Sequence, residues 1–84
     1  MNELEDRLIR CFDLVFHGLN PNQIRGASVQ TLPAWDSLAS ATLVAVLEQE
    51  FNVQIDPLDL PELTSFLSAQ AYISDKLNDA AGAN

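Results

Sequence analysis

The chain has 84 residues, enough for one small domain. A domain of that size buries only about 60% of the surface its unfolded chain exposes, so a deep catalytic cavity is not expected and function should lie near the surface. Twelve acids against four Lys and Arg residues leave a net charge of −8, which excludes a basic nucleic-acid footprint and attraction to anionic lipid and favours partners with basic patches.

Among the apolar residues, 13 Leu and 10 Ala outweigh 9 Val plus Ile, a mix that favours helix over strand. Residues 2–17 form the first predicted helix. Leu4, Leu8, Cys11, Phe12, Val15 and Phe16 recur at helical spacing, with Glu3, Glu5, Asp6, Arg7 and Arg10 on other faces. Asn2 can cap its start, and Gly18 offers a left-handed stop. Residues 18–36 make a long connection, interrupted by Pro21, Gly26 and Pro33. Ile24, Val29, Leu32 and Trp35 are spaced along it, so it should pack on the core, and Asn20-Pro21-Asn22 can start one short helical turn.

The second long helix is predicted from Asp36, a strong N-cap residue, to Phe51, with Asn52 or the residues beyond it ending the run. Pro57 and Pro61 then leave room for at most one short turn. Thr64 or Ser65 can cap a last helix reaching about Leu77, with Phe66, Ala69, Ile73 and Leu77 on one stripe. Residues 79–84 are small and polar and are expected to form a disordered tail after a single domain over 1–78.

On a helical wheel of the second long helix, Ser40, Leu43, Val44, Leu47 and Phe51 gather on one side, a sufficient core stripe. Leu38, Ala41, Thr42 and Ala45 fall on the other side with Glu48 and Gln49. A helix that spends one face on the core ordinarily carries charge on the other. Here the outward face is nearly free of charge, so either another element covers it or it is a docking surface. Ser37 stands just after the cap, beside the unpaired amides of the first turn, where a phosphate ester is well tolerated. Asp36-Ser37 can equally be a plain capping pair.

The run Asp36-Ser37-Leu38, followed by Leu43-Val44, Leu47-Glu48, Glu50-Phe51 and Val53-Gln54-Ile55, resembles the acyl carrier protein family. The likeness extends along the chain: an acidic first helix, a long loop, the second helix, a short third element and a last helix containing Tyr72-Ile73. The resemblance implies an all-α fold: a four-helix bundle of acyl-carrier type, with a long loop between helices 1 and 2 and a short third helix. It also implies 4′-phosphopantetheine on Ser37, next to Asp36, installed from coenzyme A by a phosphopantetheinyl transferase. Acyl or aminoacyl groups would ride on its thiol as thioesters, and the chain would be a carrier and not an enzyme. Its partners would be acyl-loading and acyl-transfer enzymes with basic patches, meeting Leu38, Ala41, Thr42, Ala45 and Glu48 on a monomeric, cytoplasmic protein.

Two departures from the family pattern stand out. Ala34 occupies the usual glycine position and Trp35 directly precedes Asp36, so Trp35 either anchors the loop or lines the path of the arm. Ala39 and Thr42 stand where acids are usual, which points to dedicated partners in a specialised pathway. A different class of function fits the same residues: a small helical adaptor that binds a protein through the Leu38 ridge with no prosthetic group.

Other chemistry is poorly supported. His17 with Asp13 and Ser37 makes only a nominal triad, since no nucleophile-elbow motif surrounds Ser37, and His17 suits a helix C-terminus. Cys11 reads as a small core residue. Asp56 and Asp59 lack the spacing of a calcium loop. The uncharged stretch 37–47 is about half a membrane span, and the acidic start is unlike a signal peptide.

Overall fold

The structure, a computed structural model, describes residues 3–82 of the chain. In order it contains α1 (Glu3–Val15), α2 (Pro21–Arg25), α3 (Ser37–Phe51), a 3₁₀ segment (Pro57–Glu62) and α4 (Phe66–Gly82). Among the described residues there is no strand beyond an isolated antiparallel bridge between Ser28 and Ser65, and no helix is long and apolar enough to cross a membrane. The fold is all-α as expected. Three long helices and a short penultimate element appear in the expected order, with α2 set into the long connection.

The other helices gather on α1, which packs against α2, α3 and α4. Leu8, Cys11 and Phe12 form its buried stripe. Phe12 sits at the centre, edge-on to Trp35 at 5.4 Å and to Phe66 at 5.2 Å between ring centroids. Such tilted aromatic pairs add to the gain from burial alone. Gly18 adopts φ +91° just past the helix, in the left-handed region that glycine tolerates. The expected cap at Asn2 lies outside the described residues.

In α2, Asn20 and Gln23 form a reciprocal capping box, and Pro21 occupies the first turn, where its missing N–H costs nothing. Ile24 is buried. Beyond it the connection is clipped to the start of α4: the Val29 N–H donates to Thr64 O at 2.9 Å, and the Phe66 N–H donates to Ala27 O at 3.0 Å.

Two details at the C-terminal side differ from the sequence expectation. The 3₁₀ segment does not stop at the second proline but continues through Pro61 to Glu62, with a turn beginning at each proline. The Asp59 N–H reaches Asp56 O at 2.8 Å and the Leu63 N–H reaches Leu60 O at 2.9 Å. Each proline therefore follows directly on an accepting carbonyl, at a position where no N–H is needed. At the other end, α4 continues to Gly82, past Leu77 and through 79–82 of the expected tail. Ala80 and Ala81 are strong helix formers and no proline stops the run. Residues 83–84 lie outside the described residues. The start of α4 follows the sequence: Ser65 Oγ accepts from the Ser68 N–H at 3.0 Å, while Ser68 Oγ accepts from the Ser65 N–H at 3.1 Å.

Two buried acids of high pKa tie the fold to pH. Burial, helped by the charge of Glu50 and partly offset by Arg7 and Arg10, pushes the Cys11 thiol from 9.0 up to about 11. Burial of Tyr72, then its 2.7 Å hydrogen bond to Asp59 Oδ2, pushes its phenol from 10.0 up to about 12. Both folded values lie above the unfolded ones, so the stability they contribute is complete below about pH 9 and is lost as pH rises through each window. Urea unfolding should therefore show a midpoint that falls from about pH 9 upward, with the earlier part of the fall absent in Cys11→Ala.

Candidate functional site

The start of α3 is built from the coil inward. Trp35 is 4% exposed, packed edge-on against Phe12 and tilted on Phe16 with ring centroids 5.3 Å apart. Its Nε1–H donates to Ser40 Oγ at 3.0 Å, one turn into the helix. Of the two sequence readings of Trp35, the anchor is the one observed. Between those two contacts sits the cap. Asp36 is extended, and its Oδ1 accepts the Ala39 N–H at 2.9 Å while its carbonyl accepts the Ser40 N–H.

Ser37 is thereby placed at the first helical position, exposed to solvent. The amides of the first helical turn have no intrahelical acceptors, and the positive end of the helix dipole lies there. A phosphoryl group on Ser37 Oγ would meet neither a covering element nor a buried surface, so the residues present fit a phosphodiester at this position. Asp36 spends one carboxylate oxygen on the cap.

Of the outward face expected from the sequence, Leu38, Ala41, Thr42 and Ala45 are exposed along α3. Leu38 is 77% exposed; no described element covers it, so of the two alternatives for this face the covered one is not observed. Thr42 Oγ1 donates back to Leu38 O at 3.0 Å. Glu48 departs from this group: it is half-buried, and its Oε2 accepts the Ile55 N–H at 2.8 Å, holding the chain as it leaves α3. The helix stops at Asn52, which is left-handed with φ 54° and ψ 49°, a conformation that Asn tolerates better than most residues.

Ser37 also lines a cavity of about 270 Å³ with Val29, Ser40, Ala41, Leu43, Leu60, Leu63 and Thr64. This cavity escaped sequence reasoning because its walls come from the long connection, α3 and the 3₁₀ segment together. Exposed Leu60 between two prolines was the signal that could have pointed to it. His17 and Asp13 are exposed and form no hydrogen bond with Ser37. Among the described residues no cluster of three metal-ligating side chains occurs.

The helical bundle thus presents an exposed serine at the start of α3, beside a mostly apolar cavity. A protein described as acyl carrier protein from Cyanidium caldarium is 38% identical over 48 residues, a stretch covering 57% of this chain and 56% of that protein. The similarity thus spans a little over half the length of each, and it bears out the resemblance to the acyl carrier protein family. No family model matches the chain, and no solved structure matches it.

Two variants separate the local cap from the anchor beneath it. Asp36→Ala should cost about 1 kcal/mol of stability through the lost cap. Trp35→Ala should cost about 3–5 kcal/mol, the usual range for removing a large aromatic from a core. Denaturant unfolding followed by circular dichroism checks both.

Proposed function

We propose that the chain is a carrier protein, a single carrier domain over 1–78, that holds acyl or aminoacyl groups as thioesters on 4′-phosphopantetheine attached to Ser37. The observation that carries this reading is the exposed Ser37 hydroxyl at the open end of α3 beside the cavity. The 4′-phosphopantetheine group supplies a thiol on a flexible arm, which raises the effective concentration of its cargo at successive enzymes. The chain's own residues do the rest. The first-turn amides favour the phosphate charge, Asp36 keeps the helix end wound, and Trp35 keeps that end seated on the bundle. The chain performs no bond chemistry itself.

In this reading a phosphopantetheinyl transferase and the acyl-loading and acyl-transfer enzymes meet Leu38, Ala41, Thr42 and Ala45, with Glu48 at the far end. The pathway is a specialised one. The exposed face of α3 presents no acid before Glu48, and that carboxylate is already engaged by Ile55. Partners that grip a carrier through arginines lose those contacts here. With fatty-acid synthase enzymes the loaded chain should turn over well below their own carrier; equal turnover contradicts the specialised role.

Co-expression with a promiscuous phosphopantetheinyl transferase, followed by intact mass measurement, tests the attachment. One phosphopantetheinyl group should add to the wild type and none to Ser37→Ala. An unchanged wild-type mass, or the same gain in Ser37→Ala, overturns the assignment. If the chain were instead an adaptor acting through exposed Leu38, Ser37→Ala would keep function and Leu38→Asp would lose it.

A further inference from the structure

Ser40 occupies an unusual position between the anchor and the cavity. It lines the cavity together with Ser37, and its Oγ lies 3.0 Å from Trp35 Nε1. An indole nitrogen can only donate, so the Ser40 oxygen must act as the acceptor in that bond. The hydroxyl proton is then left for another partner. Nearby Thr42 places its hydroxyl on the carbonyl four residues back, but Ser40 makes no such bond, and its hydroxyl forms no other hydrogen bond among the described residues. The rest of the lining is largely apolar, supplied by Val29, Leu43, Leu60 and Leu63. In such surroundings a half-buried donor without a protein acceptor gains from any acceptor that enters.

We propose that Ser40 is a binding residue that donates its hydroxyl proton into the cavity, to a carbonyl oxygen of the group carried on Ser37. This rests on the carrier reading above. The carbonyl is that of a tether amide or that of the cargo thioester; the shared chemistry is an uncharged acceptor oxygen. Trp35 orients the donor: its N–H occupies one lone pair of Ser40 Oγ, and donation by Ser40 in turn strengthens the indole bond, since linked hydrogen bonds polarise one another.

The chain contains one tryptophan, so its single indole N–H nuclear magnetic resonance signal reports on Ser40 directly. Spectra are compared for the unmodified protein, the protein carrying the free-thiol arm, and the protein carrying a butyryl thioester, each loaded by a promiscuous transferase and verified by intact mass. The indole N–H signal should shift on loading in the wild type, keep that response in Ser40→Thr, and lose it in Ser40→Ala. A shift already present with the free thiol assigns the acceptor to the tether, and one that appears only with the thioester assigns it to the cargo; either supports the proposal. A signal that stays put in both loaded forms, or an equal response in Ser40→Ala, overturns it. Absence of added mass on the wild type is a separate result and counts against the carrier reading itself.

Discussion

The junction at Trp35 governs the start of α3. An exposed serine such as Ser37 is not held by its own burial, so the residues before and after it have to be held instead. Trp35 does this from below. Its ring is buried against Phe12 and Phe16, and its indole N–H is bonded to Ser40 beyond the serine. Asp36 closes the same turn with its carboxylate. Ser37 is thus exposed on a turn that is fixed on both sides. The aromatic burial contributes most of the energy, and the two polar bonds set direction, since hydrogen bonds of this kind are individually modest.

The opposite end of α3 is held by a different device. Arg7 of α1 donates from Nε to Glu50 Oε2 at 2.8 Å and from Nη2 to the Glu50 carbonyl at 2.7 Å, with its guanidinium 4.6 Å from the centre of the Phe51 ring. The ion pair is partly exposed and on its own would contribute little. Its second bond matters more, because it supplies a partner to a carbonyl in the last turn, where helical partners run out. Glu48 in turn accepts the Ile55 amide and holds the chain as it leaves α3 toward the 3₁₀ segment. Tyr72 completes that path by holding Asp59 from α4. Leu60 and Leu63, just beyond Asp59, line the cavity beside Ser37 together with Leu43.

Most of the serine's setting could be read from the residues because it is local. A cap, a first helical position and an open helix end follow from Asp36 and the unbroken run after it. The Asn20-Pro21-Asn22 turn and the start of α4 at Ser65 were legible for the same reason. Glu48 was less so: its place on the helical wheel suggests an outward group, while its bond to Ile55 depends on how the chain turns after Asn52. The paired 3₁₀ turns were underestimated because each proline was weighed as a breaker, although each sits where a new turn begins. The polarity of Ser40 could not be anticipated at all, because it depends on where the indole of Trp35 points.

The sequence by itself determined the helical character of the chain, the order of its elements and the exposed serine at a capped helix start, since all of these are set by neighbours within one or two turns. The tertiary structure decided how Trp35 is seated, which side chains line the cavity, and which of its hydroxyls the indole holds. Those features join residues far apart in the chain, from Phe12 to Trp35 and from Val29 to Thr64, and periodicity along one helix carries no record of what will lie across from it.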